Sequence, residues 1–115
     1  MTVTSATIGL PVSDLQEAEK WYRRVFELTS PSVEPAPGVV EFVLGPIELQ
    51  LSEESTERSG AQLVLRLGVD DAPAEYRRLT ELGLSLGPLE HVEGAVDYFD
   101  FTDPDGNPLS LYSLA

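Results

Sequence analysis

The chain of 115 residues contains no cysteine. Disulfides, thiolate metal sites and cysteine nucleophiles are therefore excluded, and chemistry has to come from oxygen and nitrogen groups. Basic residues are scarce. Seven Lys and Arg stand against twenty Asp and Glu, for a formal net charge of −13. Such a surface repels polyphosphates and anionic lipid, so neither nucleic acid nor a membrane is expected as a partner. No apolar run approaches the roughly 18 residues of a membrane span. The stretch from Met1 to Asp14 lacks a basic segment ahead of an apolar core, which leads us to expect a cytoplasmic protein.

What the sequence does contain is a repeat. Tyr22-Arg23-Arg24-Val25-Phe26-Glu27-Leu28 is echoed 54 positions later by Tyr76-Arg77-Arg78-Leu79-Thr80-Glu81-Leu82. A short apolar segment ending in Val and Asp precedes each copy, Ile8 to Asp14 and Leu63 to Asp71. Pro46-Ile47-Glu48-Leu49 is answered downstream by Pro108-Leu109-Ser110-Leu111. Three matches in one order point to a duplicated unit within a single domain covering residues 1–115, with modules at about 1–52 and 61–115 and a polar linker at 53–60.

Each half has the same grammar. Thr4 to Leu10 is expected as a strand. Asp14 with Glu17 three residues on is a capping signal, and Leu15, Ala18, Tyr22 and Val25 recur at helical spacing to about Leu28. Thr29 to Pro37, rich in Pro and Ser, is expected as an irregular or edge strand. A hairpin from Val39 to Ser52 turns at Gly45-Pro46. In the second half, strands are expected at Gln62 to Val69, Leu84 to Leu86, Val96 to Thr102 and Leu109 to Ser113. The helix runs from Asp71 to Gly83, and Asp103 to Asn107 forms the last turn. The expected fold class is α+β, two tandem βαβββ modules.

This order resembles the vicinal oxygen chelate superfamily, the glyoxalase, bleomycin resistance and dioxygenase proteins. The resemblance is carried by Leu10-Pro11-Val12-Ser13-Asp14-Leu15 before a helix bearing Trp21-Tyr22, and by Asp103-Pro104-Asp105-Gly106-Asn107-Pro108-Leu109 before the last strand. It implies an open, cup-shaped mixed sheet around a ligand cavity with the helices outside. Strand alternation then places Ile47, Leu49, Leu63, Leu65 and Leu67 in the core. Thr7, Glu48, Gln50, Gln62, Val64, Arg66, Ser110 and Tyr112 fall on the concave side. Trp21 is expected near the mouth and Tyr98 beside Tyr112 as flat apolar surface.

Metal-dependent members of such a family take His or carboxylate ligands from the first and last strands of each module. Those positions correspond here to Thr7, Glu48, Val64 and Ser110, of which only Glu48 is a ligand, so no metal and no other cofactor is expected. His91, the only histidine, is expected as a solvated loop residue, and Asp103 and Asp105 as turn formers rather than cation ligands.

The leading expectation is a metal-independent small-molecule binding protein, paired as a homodimer. Its ligand would be held by Thr7, Trp21, Gln50, Arg66, Tyr98, Ser110 and Tyr112. The alternative is a glyoxalase-like lyase, isomerase or dioxygenase in which Glu48, raised in pKa by burial, serves as the catalytic base or sole metal ligand. A dimer whose cup has collapsed and binds nothing stays open as a third.

Overall fold

Both helices begin at the aspartate that the sequence marks as a cap. In the computed structural model, which describes residues 2, 4, 6–54 and 63–115, the Asp14 carboxylate accepts from the Glu17 N–H at 3.1 Å and the Asp71 carboxylate from the Ala74 N–H at 3.0 Å. Such caps stabilise a helix by about 1 kcal/mol each.

The chain divides into two compact units, Met1–Arg58 and Ser59–Ala115. The first runs β1 (Thr7–Val12), α1 (Leu15–Val25), β2 (Val33–Ala36), β3 (Val39–Leu44) and β4 (Ile47–Glu53). The second runs β5 (Leu65–Gly68), α2 (Ala72–Glu81), β6 (Glu90–Val92), β7 (Val96–Thr102) and β8 (Pro108–Leu114). The expected βαβββ order, twice, is what the structure shows. The sheets are ordered β1-β4-β3-β2 and β5-β8-β7-β6. In each, the leading strand lies parallel to the last, because a helix carries the chain across, while the remaining pairs are antiparallel.

One face of each sheet is covered by that unit's own helix. α1 buries Ala18, Tyr22 and Val25 at spacings of four and three over Val40, Phe42, Leu49 and Leu51. α2 buries Ala72 and Leu79 over Phe99, Phe101, Leu109 and Leu111. Each fully buried Leu or Phe stabilises the fold by roughly 1.5–3 kcal/mol. Tyr22 lies 6.3 Å from Phe42 between ring centroids, and Tyr76 meets Phe99 edge-on at 5.1 Å.

The caps lie 57 positions apart, Asp14 to Asp71, not the 54 of the sequence echo. Three residues is close to one helical turn. Counted from its cap, Leu79 therefore takes the place of Tyr22, and both are fully buried. The echo identifies two amphipathic helices but misplaces them by a turn.

Two further expectations change. The third-from-last strand is β6 at Glu90–Val92, while Leu84 to Leu86 have no regular structure. There the Gly87 N–H donates to the Asp100 carbonyl at 2.8 Å, a Cβ at Gly87 would sit 2.9 Å from that oxygen, and Pro88 has no N–H to extend the ladder. Leu63 is 64% exposed rather than core, since the leading strand starts only at Leu65. Gln62 and linker residues 55–60 lie outside the described residues.

Candidate functional site

Alternation leaves the second face of each sheet to side chains of another kind. In the first unit, Thr7 pairs with Glu48 and Glu48 with Val43, while Gly9 pairs with Gln50 and Gln50 with Glu41. These groups satisfy one another. The Thr7 hydroxyl donates to Glu48 at 3.3 Å and the Gln50 amide to Glu41 at 3.2 Å. Beside them is a hollow of about 160 Å³ edged by Pro31, Val33, Glu41, Val43 and Glu48. Glu48 is exposed, so the buried setting on which a catalytic-base role depends is missing.

The second unit's open face is built differently. Arg66 pairs with Ser110 and Ser110 with Asp100; one row along, Gly68 pairs with Tyr112 and Tyr112 with Tyr98. A hollow of about 320 Å³ is lined by Arg66, Val96, Tyr98, Asp100, Ser110 and Tyr112. A second, of about 340 Å³, runs past Val64, Arg66, Asp100 and Pro108. Ser110 forms the floor, with its hydroxyl donating to the Phe99 carbonyl at 3.3 Å. Arg66 is exposed and makes no ion pair with any described residue. Four of the residues singled out from the sequence thus share one hollow: Arg66, Tyr98, Ser110 and Tyr112. Asp100 and Val96 were missed, although alternation with Phe99 and Phe101 along β7 is the signal that would have found them.

Trp21 is on α1, which covers the opposite face of the first sheet, and packs edge-on against Tyr22 at 4.9 Å between centroids. It lines none of these hollows.

His91 is no loop residue. It sits in β6 with Nδ1 2.5 Å from Asp97 and Nε2 2.8 Å from Glu93. The Glu93 carboxylate, then that of Asp97, holds its pKa above the ordinary 6.5. Asp103 accepts from the Asp105 and Asn107 N–H groups at 2.9 and 2.8 Å and from the Asn107 amide at 2.7 Å. Its carboxylate is consumed in making the turn.

A divalent ion of the kind such folds can carry needs three or four protein donors. Among Thr7, Glu48, Val64 and Ser110 there is one carboxylate, one side chain with no donor atom, and two hydroxyls, each already donating. Among the described residues no group of three His, Asp or Glu comes together around a metal-sized space. This donor set does not fit a resident metal.

The model of the Glyoxalase/Bleomycin resistance protein/Dioxygenase superfamily matches residues 4–111. The chain belongs to that superfamily. Solved members share its fold. An antibiotic binding protein, TnmS3, from Streptomyces sp. CB03234 is 23% identical, with 100% of this chain and 99% of that one covered at a TM-score of 0.83. The fosfomycin resistance protein FosX of Listeria monocytogenes is 17% identical over 100% and 96%, at 0.82. A lactoylglutathione lyase from Agrobacterium tumefaciens is 23% identical over 97% and 94%, at 0.77. At these identities the likeness is one of fold, and function has to be argued from the site. A comparison with curated proteins finds no match. Among the described residues no helix is long and apolar enough to cross a membrane.

Proposed function

We propose that this superfamily member is a metal-independent small-molecule binding protein whose ligand lies on the open face of the β5-β8-β7-β6 sheet. One observation carries the reading. The hollow of about 320 Å³ there combines two tyrosines with an exposed arginine that no described carboxylate neutralises. Sites for small organic ligands have this make-up: flat apolar surface and a few polar groups that fix orientation. The first unit's open face, by contrast, spends its polar groups on each other. That a protein of the same fold is described as antibiotic binding supports the class of function.

The protein works in this reading as a cytoplasmic homodimer. The rim strands β2 and β6, every residue of which is exposed, are edges that a second copy would cover. Light scattering at tens of micromolar tests the pairing, and a monomer would remove it. Binding is tested by a thermal-shift screen of chelator-treated protein against a broad set of neutral, cationic and anionic metabolites. Ligand stabilises the native state by mass action, so at least one compound raises the melting temperature, and a featureless screen refutes the proposal.

A further inference from the structure

The geometry points to a specific ligand class for the second unit's hollow: a planar aromatic monoacid with a hydrogen-bond donor at the end opposite its acid. This inference rests on the binding reading above and deepens it. Its first support is the pair Gly68 and Tyr112. A Cβ placed on Gly68 would come within 3.2 Å of the Tyr112 Cζ and hydroxyl oxygen, so the phenol tip lies across β5 in the space that a side chain there would occupy. Tyr112 is still 39% exposed in that pose, which leaves ring surface for a planar ligand to stack on. Glycine in a strand costs stability, and its use at this point coincides with a ring laid over the backbone.

The second support is the charge pattern along the neighbouring row. Arg66 on β5 and Asp100 on β7 flank Ser110 on β8, about 10 Å apart at the backbone by the ordinary strand spacing. All three line the hollow. An acid group is drawn to the guanidinium, which can take both carboxylate oxygens. The far end of the same ligand meets a carboxylate, which accepts from a hydroxyl or amine and repels a second acid. Gly68 is then a positioning residue: it touches no ligand but sets where the Tyr112 ring lies.

The test uses the full chain and para-coumarate, which is planar with an acid at one end and a phenol at the other. Controls are cyclohexanecarboxylate, which lacks the flat ring; para-cresol, which lacks the acid; and para-carboxycinnamate, which carries a second acid. Backbone amide NMR titration is expected to show para-coumarate shifting Arg66, Gly68, Asp100 and Tyr112, with each control at least about tenfold weaker, as expected for a lost charge-assisted contact or ring. Arg66→Met removes the preference for acid. Gly68→Ala weakens para-coumarate but leaves cyclohexanecarboxylate unchanged, which a general loss of structure would not do. Tyr112→Leu gives the same discrimination should Gly68→Ala fold poorly. If a control binds as well as para-coumarate, or Arg66→Met changes nothing, the ligand class is wrong while binding at this face stands. If none of the four compounds shifts these amides although the broad screen finds a stabilising ligand, the class is again overturned; if the screen is also blank, the binding reading falls with it.

Discussion

The two units share one connectivity and differ in what they do with the face their helix leaves open. In the first, Thr7 donates to Glu48 and Gln50 to Glu41, so the row is closed on itself and acidic, with a hollow of about 160 Å³. In the second, Arg66, Asp100, Tyr98 and Tyr112 make no such pairs with one another, and the hollow is twice as large at about 320 Å³. The side that packs is alike in the two units, where Phe42 and Phe99 take equivalent places under their helices, because a core has to be filled. The open side carries no such demand, and its side chains differ between the two units.

The two hairpins differ most in what holds them. The first turns on two residues, Gly45-Pro46, with Gly45 at φ 60°. The second turns on five residues, held by the buried Asp103. Asp103→Ala strands the Asp105 and Asn107 donors and should cost about 3 kcal/mol, whereas Pro46→Ala should stay within about 0.5 kcal/mol. Urea denaturation measures both, and equal losses would mean the turns are equivalent after all. Next in size, Arg66→Met should lower affinity for an acidic ligand at least tenfold, about 1.4 kcal/mol, while Glu48→Gln leaves it unchanged. Calorimetric titration of the two variants decides whether the faces differ in function.

The helix ends differ on a smaller scale. After α1 the residue in the left-handed region is Glu27 at φ 53°; after α2 it is Gly83 at φ 91°. Glu27→Gly should stabilise by up to about 1 kcal/mol and Gly83→Ala destabilise by a similar amount, because only glycine is free of the steric cost there. Thermal melts check the opposite signs.

The smallest effect belongs to His91, whose counterpart the first unit lacks. Its folded pKa lies above 6.5, so the charged form is favoured in the folded state. The stability it adds is fully present below pH 6.5 and is lost as pH rises through the folded value. The gap in urea midpoint between the parent chain and His91→Gln should therefore be widest in acid and close toward alkaline pH. A gap independent of pH would show that the Glu93 and Asp97 contacts contribute nothing through charge.

Element order and helix starts were legible in the sequence because they depend on local signals: the Asp14 and Asp71 caps, the spacing of Ala18, Tyr22 and Val25, and alternation around Leu49 and Leu111. What was not legible depends on contacts between distant segments. β6 sits at Glu90 rather than Leu84 because Gly87 hooks onto Asp100 thirteen positions on, and apolar residues alone do not reveal that. The Asp97 partner of His91 was hidden because it depends on the β6–β7 pairing, whereas Glu93 is a neighbour two residues along the chain. Glu27 carries no sequence signal at all, since a glutamate rarely marks a helix end. Of the candidate site, alternation along β5 and β8 placed Arg66, Ser110 and Tyr112 on one face. The role of Gly68 needed the position of the Tyr112 ring.

Metal-free binding of the ligand by the second unit's open face is the proposal from which the rest follows. It is tested most directly by titrating the chelator-treated protein with a ligand from the screen while following every backbone amide by NMR. Perturbations are expected at Arg66, Gly68, Asp100, Ser110 and Tyr112, unaltered when a divalent metal is added back. Perturbations centred on Thr7 and Glu48, or binding that appears only with the metal, would contradict it.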